Sequence, residues 1–454
     1  MNAAGMRLMP WPTYALGVDA YAWTVHPSAE ALVVSVLDDA LEKSPRLRAF
    51  ADDLRRATST RLLDWVDHLA APLSASALAD AGFACVGPGL HRHPRAQLPA
   101  LAAVDGPGLE VALRVDDVRA FSAVHGGDPE GDDHSGLRAV RAWCDKEVTL
   151  KAVERRSWVG GTTPAQVDVD AADRATALWR DRPRGFDLES GMTGALEAAE
   201  QMVSLVGPDL ASSYAMSEER AYWMTRNRAA RVQHERQDAL GLGWGNQDHH
   251  TFRSSREGFA DLLAVLALFG FDKRERFFAG ADAGWGAQVL EHAGAGIVVF
   301  ADVDLEPGEV DVDFTEGLEP SGRLGTVGTW CALHGESLLA AGMHHLEGQF
   351  DHAALVADLA RQGIGHMEPF STMPHLWQAF TEPDLWPVDR ERLGPLVAAG
   401  HISAEAAERF ATVGAPGSHL ENLTRSGGFK GFNQHNVSTT IAATDPRAYV
   451  ARRL

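Results

Sequence analysis

Two stretches of this chain echo each other. Asp248-His249-His250 stands before one apolar helical pattern, and Met343-His344-His345 stands before another. Phe300-Ala-Asp-Val-Asp304 and Phe380-Thr-Glu-Pro-Asp384 then close the two segments. A repeated supersecondary unit constrains the fold strongly, because one unit alone cannot bury its own sheet and must pack against the other.

The first unit reads as a strand at Asp248–Arg253 and a helix at Arg256–Phe269, with Phe259, Leu262, Leu263, Leu266 and Phe269 on one face. Strands follow near Arg274–Phe278, Gly286–Leu290 and Gly296–Leu305, giving β-α-β-β-β. After an acidic connector at 304–325 and a helix at 326–341, the second unit offers a strand from Met343 and a helix at His352–Gln362. Its remaining strands are expected at Gly365–Phe370 and Leu376–Leu385, one hairpin fewer than in the first.

The expected fold class is α+β: a mixed, largely helical N-terminal region with two β-α-β-β-β units forming a half-barrel around a metal site. The expected divisions are 1–238, largely helical with some strands; 239–400, the paired core; and 401–454, a C-terminal helix and closing strand. Within the first region, helical spacing covers 28–80, including Leu47–Leu69, and Leu188–Val206 and Glu218–Leu240. Residues 86–108 read as a loop, Leu109–Val115 as a strand and Gly126–His134 as a turn. Gly241-Leu-Gly-Trp-Gly245 breaks the pattern before the core.

A formal net charge of −21 disfavours nucleic acid and anionic lipid as partners. The three cysteines, Cys85, Cys144 and Cys331, are widely spaced, which argues against a disulfide scaffold or a thiolate zinc site and for a reducing compartment. With no secretory pattern in residues 1–20 and no apolar run long enough to span a bilayer, a cytoplasmic location is expected. A small anionic substrate would need a local cationic clamp against the overall field.

Alternation along a strand allows one histidine of each pair to face a shared cavity. His249 and Arg253 are four residues apart and share a face, whereas His250 looks away. In the second pair His345 is the better candidate, with Leu346 on the helix-covered side. Glu382 ends the expected last strand. Two imidazoles and a carboxylate make the facial triad of non-haem Fe(II), with Arg253 free to bind a carboxylate. Asp248 is a candidate to orient an imidazole. The rivals are His250, His344 and His435 among the histidines, and Asp302, Glu291 and Glu347 among the carboxylates. Arg256 and Glu257 read as a capping or solvent-facing pair at the helix start.

At Asp248-His-His-Thr-Phe-Arg253, with His344-His345-Leu-Glu347 further on, the sequence resembles the 2-oxoadipate dioxygenase/decarboxylase family, also called hydroxyglutarate synthases. The resemblance covers roughly residues 245–390. It departs from the family pattern at Thr251, His344 and Glu347, and in the short spacing to the glutamate. It implies a fold of vicinal oxygen chelate type, Fe(II) held by His249, His345 and Glu382, and a substrate carboxylate on Arg253. It also implies oxidative decarboxylation and hydroxylation of one 2-oxo acid, with dioxygen as co-substrate. Two other readings suit the same residues: another divalent metal serving isomerase or lyase chemistry, or a non-catalytic small-molecule-binding protein.

Overall fold

The computed structural model describes residues 23–280, 283–309, 312–433 and 442–452. Two eight-stranded mixed sheets dominate it. The first is built from β1 (Val66–Ala71), β2 (Ala84–Gly87), β3 (Leu90–Arg92), β4 (Ala100–Ala103), β5 (Leu109–Arg114), β6 (Pro129–Glu130), β7 (Leu137–Asp145) and β8 (Val148–Arg155). The second is built from β9 (Gln247–Arg253), β10 (Asp272–Phe278), β11 (Trp285–His292), β12 (Ile297–Asp304), β13 (His345–Gln349), β14 (Ser371–Met373), β15 (Leu376–Phe380) and a late strand. Before that strand comes a two-stranded ribbon, β16 (Leu385–Trp386) with β17 (Ala415–Pro416). The late strand itself is β18 (His419–Arg425).

The sheets share one topology. Their strand orders are β2-β3-β4-β1-β5-β8-β7-β6 and β10-β11-β12-β9-β13-β18-β15-β14. In each, an antiparallel pair at the centre, β1 with β5 or β9 with β13, joins two β-α-β-β-β units. Each central strand also pairs in parallel with the last strand of its own unit. The fold is therefore α+β, with two β-α-β-β-β units paired in each sheet and the second sheet curled into a half-barrel.

Several expectations for the N-terminal region need correction. A helix ends at Thr58, and the apolar run beyond it becomes β1 rather than continuing to Leu69. The His- and Pro-rich stretch 86–108 contains β3 and β4, and two long strands, β7 and β8, follow. β3 is three residues long and β4 is mostly alanine, so their patterning is weak beside the helices that cover them. Residues 1–238 thus hold a whole sheet as well as helices.

Four helices, Val169–Arg180, Leu188–Val206, Pro208–Thr225 and Arg228–Asp238, connect the sheets. They pack with the helix Phe259–Leu268 over the outer face of the second sheet. Phe252, Val299, Ala301, Leu346 and Leu420 point into that shared core. Outward-facing apolar residues thereby leave the other face of β9 and β13 to polar side chains, as strand alternation requires, while β12 adds Phe300 to that face. Asn227 ties the two layers: its Oδ1 accepts from the Ala230 amide and its Nδ2 donates to Ser418 just before β18.

The second unit departs from its expected layout. β15 ends at Phe380, and its fourth strand arrives only after an insertion at 381–418 that holds β16, the helices Arg390–Ala398 and Ala404–Thr412, and β17. The stretch Gly365–Phe370 is not a strand; only His366 makes a bridge, to Thr381.

Glu219 anchors the helical layer. It is fully buried and accepts hydrogen bonds from Trp179 Nε1 at 2.8 Å, Arg182 Nη2 at 2.6 Å and Arg184 Nη2 at 2.6 Å. Burial alone would raise its pKa, but the two guanidiniums outweigh that and hold it below the usual carboxylate range. The native state therefore keeps this proton off, so the contribution is fully present above the ordinary glutamate range and is lost as pH falls through the lowered pKa. Glu219→Gln removes the counter-charge of buried Arg182 and of partly buried Arg184. It is expected to lower unfolding stability by about 3–5 kcal/mol in urea denaturation at pH 7, with a smaller difference from wild type in acid.

Candidate metal centre

The site forms where β9, β13 and β18 run side by side. The antiparallel register of β9 and β13 sets Glu347 opposite His249 and His345 opposite Thr251. The parallel register of β13 and β18 then sets Glu421 beside Glu347 and His419 beside His345. Alternation brings all six side chains onto one face.

On that face Oε2 of Glu421 lies 2.9 Å from Nε2 of His345 and 3.8 Å from Nε2 of His249. His249, His345 and Glu421 are all buried, and each offers one ligand atom, all within 4.8 Å of one another. The structure thus brings two of the sequence-expected ligands together and leaves the third outside. Glu382 lies just past the end of β15, exposed beside Gly365, whose carbonyl accepts from the Glu382 amide at 2.8 Å. Glu421 stands in its place. Sequence reading missed it because the insertion separates β18 from the rest of its unit. The available signals were the missing fourth strand and the apolar–polar pattern of His419-Leu-Glu-Asn-Leu423.

Both imidazoles are held from behind. His344 and His345 share a hydrogen bond between their Nδ1 atoms at 2.9 Å. Burial lowers the pKa of both, so they stay neutral. A ligand through Nε2 carries its proton on Nδ1, so His345 is the donor in this bond. On the other side, Nδ1 of His249 pairs with Glu347 and lies 3.4 Å from Oδ2 of Asp248. Asp248 is itself engaged by Arg425, at 3.0 and 3.2 Å, and by Gln349 at 3.1 Å. With its oxygens occupied, Asp248 orients rather than ligates, although Asp248, His249 and Glu347 also come close enough to form a second group.

The electrostatics fit a cation. Burial pushes Glu347 and Glu421 above the usual carboxylate range, and for Glu347 the charge of Glu421 adds to the effect. Burial opposes protonation of His249, yet Glu347, Asp248 and Glu421 together hold its pKa up at about 10. An interior with clustered carboxylates and an imidazole drawn into carrying a proton is short of positive charge, which a divalent ion on the same donors would supply. The His₂Glu donor set suits iron(II) or another borderline divalent metal.

The other candidates have different employment. His250 is turned to the helix-covered side, 3.2 Å from Arg220 Nη1. Glu291 pairs with Lys430 at 2.7 Å and Arg274 at 3.2 Å, and lines a separate cavity between the sheets. Arg256, expected toward solvent, is buried and pairs with Glu309 at 2.6 Å, whereas Glu257 is exposed. His435 lies outside the described residues, but the segment leading to it folds over the site. Phe432 packs edge-on against His249 and, at a centroid separation of 4.5 Å, against Phe300.

A cavity opens in front of the triad, walled by Phe277, Trp285, Phe300, Phe370, Phe380 and Phe432, with Thr251, Asp302, Gln378 and Asn433 as polar contacts. Arg253 is fully buried on the same face as His249, its Nε 3.8 Å from Oδ2 of Asp302 and its guanidinium 5.6 Å from the Trp330 ring. Nε and Nη1 of Arg253 have no hydrogen-bond partner among the described residues.

No protein-family model matches the sequence, and no curated protein matches it. Solved structures with a related fold include a triple mutant of 4-hydroxymandelate synthase from Streptomyces coelicolor, with 12% identity and a TM-score of 0.29, covering 84% of this chain and 98% of that one. A xylose isomerase-like TIM barrel/4-hydroxyphenylpyruvate dioxygenase fusion protein has 13% identity and a TM-score of 0.24, covering 84% and 52%. A methylmalonyl-CoA epimerase from Mycobacterium tuberculosis has 13% identity and a TM-score of 0.22, covering 40% and 87%. The site is therefore read from its own residues. No helix among the described residues is long and apolar enough to cross a membrane.

Metal analysis of protein purified anaerobically tests the triad. His249→Ala, His345→Ala and Glu421→Ala are expected to lose bound metal, and Glu382→Ala to keep it. Retention by Glu421→Ala with loss by Glu382→Ala would overturn the assignment.

Proposed function

We propose that the protein is a non-haem Fe(II)-dependent dioxygenase that oxidatively decarboxylates and hydroxylates a small 2-oxo acid of the 2-oxoadipate kind. The observation that carries this reading is the convergence of His249, His345 and Glu421 from three adjacent strands onto the wall of one cavity. The likeness of Asp248–Arg253 to the 2-oxoadipate dioxygenase/decarboxylase family supports it. Iron(II) bound there supplies dioxygen activation and polarises the substrate's keto oxygen.

The protein's own residues do the positioning. Gln378 donates to Glu347 at 2.9 Å and to Glu421 at 3.1 Å, fixing the carboxylate behind His249 and the ligating one together. Arg253 is the group for the substrate's carboxylate. A buried guanidinium with two nitrogens unbonded among the described residues and only a distant carboxylate partner gains more from a bidentate anion than an exposed one would. The aromatic walls exclude water, which strengthens each polar contact inside and protects reactive species from quenching.

Oxygen uptake and carbon dioxide release, followed after anaerobic Fe(II) loading with 2-oxoadipate and with shorter and branched 2-oxo acids, test the proposal. Coupled, equimolar uptake and release is expected, and Glu421→Ala should abolish both. Arg253→Met should keep its metal but raise KM by roughly 30-fold, the equivalent of about 2 kcal/mol of lost charge-assisted binding. Metal binding without oxygen uptake would replace this reading with isomerase or lyase chemistry. Ligand binding that survives His249→Ala would favour a non-catalytic binding protein.

A further inference from the structure

A second cavity, of about 140 Å³, lies between the two sheets, with β1, β5 and the β3–β4 segment on one side and β9, β11 and β12 on the other. Five carboxylates border it, and each is already engaged. Asp64 pairs with Arg61, Asp67 with Arg155, Asp248 with Arg425 and Glu291 with Lys430, while Glu30 accepts from the Gly427 amide.

Arg114, at the end of β5, is not matched in this way. Its guanidinium faces the cavity, and its one hydrogen bond is a long contact of 3.5 Å to the Arg155 carbonyl. Among the described residues no carboxylate lies within 4.0 Å of it. Asp67, its strongest source of favourable charge, already receives three hydrogen bonds from Arg155 at 2.8–3.0 Å. A buried cation without a counter-charge is costly, and a neutral water cannot supply one.

The indole of Trp158 adds a second, independent sign. It is stacked between Arg92 at 4.4 Å and Arg155 at 3.9 Å, and its buried Nε1 has no hydrogen-bond partner among the described residues. The two donors meet at Gly296. A Cβ built there would lie 2.8 Å from Trp158 Nε1 and 3.9 Å from Arg114 Nη1. Gly296 also adopts a φ of +69°, which other residues rarely take, so its lack of a side chain serves the turn and leaves the donors uncovered. Burial holds Arg114 below the ordinary arginine range, with the charge of Asp67 only partly offsetting it.

We propose that this cavity is a binding site for a small oxyanion, a phosphate or carboxylate group held by Arg114 and Trp158 Nε1 beside Arg92. In a chain of net charge −21 such a site cannot depend on the overall field, so the local donors must carry the binding. The inference does not rest on the proposed oxygenase activity.

Calorimetry and thermal unfolding of the full chain with inorganic phosphate, sulfate, acetate and succinate test it. A Glu421→Ala, Arg253→Met background removes both the metal and the guanidinium assigned to carboxylate binding at the metal centre. Saturable binding with a rise in unfolding temperature is expected for at least one of these anions. A preference for phosphate and sulfate would mark a phosphate site, and a preference for acetate or succinate a carboxylate site. Arg114→Met should weaken binding about tenfold or more, and Trp158→Phe, which keeps an aromatic ring beneath the two guanidiniums but removes the N–H together with the pyrrole part of the indole, should weaken it by a smaller factor. Arg390→Gln, which breaks only an exposed pair with Glu408, should leave binding unchanged. Absence of saturable binding by all four anions, or equal affinity in wild type, Arg114→Met and Trp158→Phe, would overturn the proposal.

Discussion

The antiparallel pairing of β9 with β13 is the contact on which the rest of the half-barrel depends. It joins the two units, and its register sets Glu347 against His249 and His345 against Thr251. A one-residue slip of β13 would send His345 and Glu347 to the helix-covered face, where Leu346 now packs, and leave His249 without them. The helical layer enforces the register. Apolar side chains on the outer face of β9, β12, β13 and β18 are buried under five helices, and the polar residues of β9 and β13 are left to the concave side.

The same topology occurs twice, yet the two sheets carry different chemistry. In the first sheet the central pairing sets His68 opposite Ala112 and Glu110 opposite Ala70, so alanines occupy positions where a second imidazole or carboxylate would have to stand. His68 is instead bound to Asp67 at 2.8 Å, and Asp67 to Arg155. Both groups able to hold a metal among the described residues lie on the second sheet. One scaffold thus provides a face with clustered histidines and carboxylates in one half and, in the other, a face where alanines replace two of those positions and the remaining charges pair with one another. Between them lies a cavity where Arg114 has no carboxylate within 4.0 Å among the described residues.

Legibility in the sequence followed the strength of local patterning. β9 could be read from alternation, with His249 and Arg253 on one face and His250 on the other, because a period of two needs no knowledge of distant contacts. The helix after it, the strands β10 to β12 and the helix His352–Arg361 were readable on similar grounds. The first sheet was not: β1 runs on from a helix in one apolar stretch, and β3 and β4 lie within a segment rich in proline and histidine. Glu382 and Glu421 illustrate a second limit. Both are glutamates in the second unit, and nothing in the spacing says that residues 381–418 loop out before the fourth strand returns.

The sequence by itself determined which face of each patterned strand is polar, that two histidine pairs precede two helices, and that an acidic chain must bind any small anion through local cations. These properties follow from alternation, adjacency and charge, all of which are local or summed quantities. Only the tertiary structure decided which carboxylate joins the two imidazoles, that His344 and Glu347 hold those imidazoles in place, and that Arg114 faces an interior cavity with no carboxylate beside it among the described residues. Those facts depend on strand order and register across the insertion and between the two sheets, where long-range packing brings together residues that share no sequence neighbourhood.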